Sequence, residues 1–381
     1  MTVPSTPPSQ RTTFRFTRRT LIGAATAVAG SAVIISDAMA ATTQDNSTAG
    51  SVGTPSDTFG TTTASFPSTR AQEATGEAPL KTAFPIGYVG VQWAGTAQAD
   101  GGAIRVIDAG GAMGEWQAFG GSGCAEANGG ALLIPVNQAS GYELKAPDGA
   151  IGLRSLALDC TRGPGREVKV PTDPTRLRGV VYLSRAAWGA DESLRFKPDG
   201  TENTPTAFYP FQTITLHHTA TANADPDPAA TVRGIYQFHA VTNDWGDIGY
   251  HFLIDEQGRI YEGRYSGDDV LPAHDRDRKL VTAFHVGGFN SGNLGIALLG
   301  TLTEQGPTDA ARIALTRLVR VLTRLHGVDP KATVTYTNPV NGTRKEVPEI
   351  SGHQDWMPTE CPGATMYEAL TRLREDVAGQ G

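Results

Sequence analysis

Phe211-Gln212-Thr213-Ile214-Thr215-Leu216-His217-His218-Thr219 alternates polar and apolar side chains, so it reads as a β-strand that delivers imidazole at its C-terminal end. Thr213, Thr215 and His217 share one face of such a strand; Ile214, Leu216 and His218 share the other. Only one of the two histidines can therefore reach a given site while the strand stays regular, and periodicity alone leaves open which one.

Further along, Ser351-Gly352-His353-Gln354-Asp355-Trp356-Met357-Pro358-Thr359-Glu360-Cys361-Pro362-Gly363 places an imidazole and a thiol eight positions apart in a stretch stiffened by Pro358 and Pro362. Zinc takes imidazole nitrogen and thiolate sulfur. With one histidine from the strand, His353 and Cys361 make a three-ligand set that leaves one tetrahedral position open, as catalytic rather than structural zinc sites do. No His-Glu-x-x-His helix is present, which argues against a zinc peptidase of that kind.

Around these stretches strands and helices alternate. Asp227-Pro228 reads as the cap and first residue of a helix reaching about residue 241, with Val232, Ile235, Tyr236 and His239 on one face. Strands are expected at 250–255, 260–263 and 294–299. Thr308-Asp309 opens a second helix with a core stripe of Leu315, Leu318, Val319, Leu322 and Leu325, stopped by Gly327, and 365–377 is helical. The pattern is that of an α/β domain occupying residues 172–381.

The remainder of the chain differs in texture. Within 1–40, Arg18-Arg19 precede a short apolar run and Ala38-Met39-Ala40 offers a small-x-small cleavage site, which reads as a twin-arginine signal peptide rather than a stable membrane anchor. Residues 41–83, rich in Ser, Thr, Ala and Gly with no apolar stripe, read as a disordered linker. Residues 84–171 carry short alternating runs separated by glycine-rich turns and predict a small all-β, sandwich-like accessory domain. Its Trp93 and Trp116 either stack on sugars or belong to the core.

The formal net charge is −7, and removal of Arg11, Arg15, Arg18 and Arg19 with Asp37 makes the mature chain more acidic. Nucleic acid is therefore excluded as a partner. Three cysteines in an exported chain suggest a Cys124–Cys160 disulfide and leave Cys361 over, a thiol better protected as a metal ligand than free.

Taken in order, Ser184-Arg185-Ala186-Ala187-Trp188, Ile214-Thr215-Leu216-His217-His218, Gly249-Tyr250-His251-Phe252, Ile260-Tyr261-Glu262-Gly263-Arg264, His285-Val286-Gly287-Gly288-Phe289-Asn290, Leu294-Gly295-Ile296-Ala297 and Gly352-His353 with Cys361-Pro362-Gly363 resemble the peptidoglycan recognition protein and zinc N-acetylmuramoyl-L-alanine amidase family, amidase type 2. The resemblance spans roughly residues 181–373. It implies a central mixed β-sheet flanked by helices, and it selects His217 over His218 to complete the Zn2+ ligand set with His353 and Cys361. Tyr250 and Thr359 match catalytic positions; Thr359 departs from the lysine of phage members, which suits a hydrogen-bond donor better than a proton shuttle. His218, Trp245, Arg264, His285 and Asn290 match or flank positions along the substrate groove.

The implied substrate is peptidoglycan or a muropeptide, cut at the amide joining the lactyl group of N-acetylmuramic acid to L-alanine by a secreted monomer. The alternative is a non-catalytic peptidoglycan-binding module, since the family includes receptors that commonly lack the cysteine. As every implied catalytic group lies in 172–381, that segment is expected to act alone on soluble muropeptides.

Overall fold

The computed structural model describes residues 60–96, 99–119, 129–268 and 271–379. The expected signal peptide, residues 41–59 of the expected linker, and Cys124 lie outside them.

The histidine strand is Thr213–His218, buried throughout. It lies within a five-stranded sheet of order Ile260–Glu262, Phe252–Ile254, Asn293–Leu298, Thr213–His218, Ile350–Gly352. The first pair is antiparallel and the other pairs are parallel, giving the mixed sheet of an α/β fold. Ile350–Gly352, too short to announce itself by periodicity, pairs Leu216 with Gly352 and so sets His353 alongside His217.

Ile214, Leu216, Phe252, Ile254, Leu294 and Ile296 form one face of the sheet and pack against helix α2 (Asp309–His326) and helix α3 (Ala364–Ala378) through Leu315, Leu318, Val319, Leu322, Met366 and Leu370. Leu253 and Ala297 face the other way, toward helix α1 (Pro228–Gln237). The helix ends obey their caps. Asp227 accepts from the Ala230 N–H at 3.1 Å, Thr308 accepts from the Ala311 N–H at 3.2 Å, and Gly327 closes α2 at φ 67°. Past Gln237 the chain enters a π-helical turn, Phe238–Thr242.

The described part of the expected linker, residues 60–83, is ordered. Thr61–Pro67 pairs antiparallel with Gly165–Pro171, and Arg70–Thr75 forms the edge of a six-stranded antiparallel sheet. An apolar stripe is not needed there, because the backbone is satisfied by the partner strand and Arg70 pairs with the buried carboxylate of Asp159. Only every second residue of Arg70–Thr75 is half-buried, which is why composition resembles a linker.

The sheet runs Arg70–Thr75, Ile151–Asp159, Leu80–Ala94, Gly129–Lys145, Ala103–Ile107, Gln117–Ala118, one continuous sheet where the sequence suggests a sandwich. Trp93 belongs to its core, stacked on Phe119 with centroids 5.9 Å apart; Trp116 is half-buried beneath Arg105 and Lys145.

The β-domain sits directly on α1. Leu156, Leu158 and Cys160 pack with Ala230 and Phe238, joined by Tyr88, Ala131 and Leu133. Gly90 meets the Phe238 ring so closely that a Cβ there would fall 2.5 Å from Cδ2. Gln92 donates to Asn243 at 2.7 Å, Arg233 to the Cys160 carbonyl at 3.1 Å, and the Tyr88 and Thr231 hydroxyls are hydrogen-bonded.

Of the expected Cys124–Cys160 disulfide, Cys124 lies outside the described residues. Cys160 is a free thiol buried in the contact with α1, where burial pushes its pKa up to about 12. Among the described residues no helix is long and apolar enough to cross a membrane.

Candidate active site

The C-terminal ends of the parallel strands, where open α/β sheets gather ligands, bring His217, His353 and Cys361 together. One ligand atom from each lies within 4.8 Å of the others, and all three residues are buried. His217 Nδ1 is 3.5 Å from Cys361 Sγ, and the His217 and His353 rings are 4.6 Å apart.

Two observations test whether these residues fit a metal. Zn–N bonds of about 2.0–2.1 Å and a Zn–S bond of about 2.3 Å at a tetrahedral angle separate the two donors by about 3.6 Å, close to what is seen. Both ring nitrogens of His353 are buried without a hydrogen-bond partner, a costly state for an imidazole unless something binds it. The residues fit the group.

Hydrogen bonds also set the tautomer. The Asn293 carbonyl can only accept, so His285 Nε2–H donates to it at 2.9 Å; His285 Nδ1 then accepts from His217 Nε2–H at 3.0 Å. The lone pair of His217 is thereby left on Nδ1, facing Cys361. His218 is turned to the opposite face and its Nδ1 accepts from the Leu302 N–H at 3.1 Å. Burial pulls the pKa of His353 down to about 3 and that of His285 to about 4, so both rings stay neutral.

Beside this cluster lies a cavity of about 370 Å³. Tyr250, His218, Thr359 and Cys361 line it. Tyr250 is buried with its ring 5.3 Å from that of His217, and Thr359 Oγ1 accepts from the Cys361 N–H at 3.2 Å, leaving its own hydrogen free to donate elsewhere.

The expected groove residues divide. Asn290 Oδ1 accepts from the backbone N–H groups of His285 and Val286 at 2.8 Å, so it ties its loop; His285 orients His217. Neither lines the cavity. Trp245 lies against His239, with ring centroids 4.7 Å apart and the planes tilted by 51°, while buried Arg264 lies over Phe284 and donates to the Trp245 carbonyl at 3.3 Å.

Sequence reasoning missed three contributors. His239, expected only as a core residue of α1, is carried by the π-helical turn to the cavity wall. Its Nδ1 accepts from the Gly249 N–H at 3.0 Å and burial lowers its pKa to about 3, so it is a neutral ring with its hydrogen on Nε2. A histidine within an apolar helix stripe was the available signal. His251, also buried and neutral, braces the sheet by accepting from Gly295 N–H and donating to the Val281 carbonyl. The third contributor, residues 131–135 with Gln117, comes from the β-domain and carried no signal.

These depressed histidines give stability a pH dependence. The unfolded imidazole takes a proton below about 6.5 and the folded ring does not. Their stabilising contribution is complete above that value and is lost as pH falls toward the folded values of 3 to 4. The melting temperature of the metal-free protein is expected to fall steadily from pH 7 to pH 4; a flat profile in thermal scans would contradict the buried neutral assignment.

The family profile described as N-acetylmuramoyl-L-alanine amidase (Amidase_2) matches residues 207–364. Peptidoglycan recognition protein 3 of Homo sapiens is 28% identical over 205 residues, covering 53% of this chain and 49% of that protein. N-acetylmuramoyl-L-alanine amidase of Sus scrofa is 30% identical over 143 residues, 37% of this chain and 19% of that protein. The chain thus spans about half the length of the first relative and about a fifth of the second. A solved structure of the N-acetylmuramoyl-L-alanine amidase LysC from Clostridium intestinale aligns at 25% identity with a TM-score of 0.32, covering 45% of this chain and 91% of that one.

Proposed function

Because the chain carries an Amidase_2 domain over residues 207–364 and has both recognition proteins and amidases as relatives, we propose that it is an exported zinc-dependent N-acetylmuramoyl-L-alanine amidase. Its reaction is hydrolysis of the amide between the lactyl group of N-acetylmuramic acid and L-alanine of the stem peptide. The observation that carries this reading is the orphaned, buried His353 beside Cys361 and His217. A groove used only for recognition would gain nothing from that arrangement, and with Cys361 present the binding-only alternative is disfavoured.

His217, through Nδ1, His353 and Cys361 would hold the ion, whose chemistry is to acidify water and polarise the scissile carbonyl. His285 keeps His217 in the tautomer that offers Nδ1. Tyr250 donates its phenolic hydrogen to the oxygen on which charge develops, and Thr359 donates from the loop that carries Cys361. Water adds across the amide, the C–N bond breaks, and the proton ends on the freed amino group of L-alanine.

Mass spectrometry of peptidoglycan digested by the purified protein tests the reaction. New L-alanine amino termini with intact disaccharides are expected, and cleavage between sugars would refute it. Tyr250→Phe should retain the metal and lose roughly 10²–10³ in turnover. A phenylalanine variant with wild-type kcat would remove Tyr250 from the mechanism.

Export through the twin-arginine route belongs to the same reading, supported by Arg18-Arg19 and Ala38-Met39-Ala40. Replacing the arginine pair with lysines should abolish secretion, measured as protein in the medium against protein in the cell. Undiminished secretion would assign another route.

A further inference from the structure

The cavity beside the metal ligands is a two-domain feature. Cys361, Tyr250, Thr359 and His218 of the amidase domain line it together with Gln117, Ala131, Leu133 and Pro135 of the β-domain. In the strand Gly129–Lys145, Leu133 packs on the α1 side, and strand alternation sets Ala131 and Pro135 on that same face. The β-domain is seated there by close contact, with the Gly90 backbone against the Phe238 ring and the Cys160 sulfur against Gly234. A Cβ at Gly90 would fall 2.5 Å from the Phe238 ring and one at Gly234 3.3 Å from the Cys160 sulfur, so the two surfaces are packed without a gap.

The chemistry of the two sides differs. Ala131, Leu133 and Pro135 join Ile235 and Phe238 in an apolar surface, whereas Thr219, Thr221, Asn223 and Thr301 form a polar side whose hydroxyl and amide groups are hydrogen-bonded to one another's side chains and backbone and to the Gly300 N–H. Such a cavity suits a ligand that is polar along one edge and carries methyl groups along the other. A muramyl-alanine unit is of this kind, with its lactyl, acetyl and alanyl methyls. The volume of about 370 Å³ lies at the small end of ligand pockets, about right for one such unit and not for a run of cross-linked glycan.

We propose that the β-domain is a fixed wall of the substrate pocket, and that Gln117, Leu133 and Pro135 contact the substrate and select short muropeptides over interior units of polymeric peptidoglycan. The inference rests on the amidase reading above and names its substrate class.

The test uses the full chain and two substitutions at exposed wall positions on different strands, Pro135→Trp and Gln117→Trp. Zinc content and thermal unfolding confirm that each variant is folded and loaded. Wild type is expected to cleave a soluble disaccharide-tetrapeptide at least roughly tenfold faster per susceptible bond than purified sacculi. Each tryptophan should lower kcat/KM on the soluble substrate by roughly tenfold, mainly through KM, with zinc content unchanged.

Should wild type cleave neither substrate, the amidase reading fails by itself. The wall is then read by calorimetric binding of muramyl dipeptide, which both variants should weaken by roughly tenfold. Unchanged kcat/KM in two folded, zinc-loaded variants, faster cleavage of sacculi by wild type, or unchanged dipeptide binding would each overturn the proposal.

Discussion

Cys361→Ala is expected to lose stoichiometric zinc and, with it, about 10³-fold or more of the hydrolysis rate, while the protein stays folded. The thiolate is one of three donors, and its loss leaves His217 and His353 to hold the ion as neutral ligands only. His353 then stays buried with no partner at either nitrogen. The fold should survive, because the loop is held independently of the sulfur: Tyr367 donates to the Asp355 carboxylate at 2.5 Å and Trp356 Nε1–H to Ser351 at 2.9 Å. Zinc analysis, circular dichroism and turnover on muropeptide separate these effects. A Cys361→Ala protein with full zinc and full turnover would remove both the ligand set and the mechanism built on it.

Residues 172–381 expressed alone should fail to reproduce the stability and the proposed activity of the whole chain, contrary to what the distribution of the expected catalytic residues suggests. Cutting away the β-domain bares Phe238 and Ala230 on the α1 side, and exposing a fully buried side chain such as Phe238 costs ~1.5–3 kcal/mol. For a fragment of this size that corresponds to a melting temperature lower by roughly 5–10 °C. The cavity also loses the side formed by Ala131, Leu133 and Pro135, so kcat/KM on soluble muropeptide should fall by at least roughly tenfold. Thermal scans and kinetics on the fragment check both numbers. A fragment as stable and as active as the whole chain would show that the β-domain is only an attachment.

Much of the α/β domain was legible in the sequence because local rules acted alone there. Thr308 and Gly327 bound α2 and Asp227 opens α1 through caps that involve only neighbouring residues. The alternation of Thr213–His218 is likewise local, and the loop carrying His353 and Cys361 has few residues to place. The resemblance then selected His217, and the structure supplies the reason. His217 lies on the face with Leu253 and Ala297, away from the α2 and α3 side, and His285 fixes its proton.

What the sequence by itself determined is the capped helices and the longer central strands of the α/β domain, and the inventory of side chains able to bind a metal, since periodicity, caps and residue chemistry are properties of short stretches. Only the tertiary structure decided which side chains meet. Parallel pairing of Ile350–Gly352 with Thr213–His218 aligns His353 with His217 across more than a hundred residues. A π-helical turn moves His239 from core to cavity, and His285 and Asn290 brace ligand and loop instead of lining the pocket. Strands in the Ser/Thr-rich stretch form because partners elsewhere satisfy their backbone groups. The β-domain wall depends on how two separately patterned units dock on α1, and docking surfaces carry no period that a sequence displays.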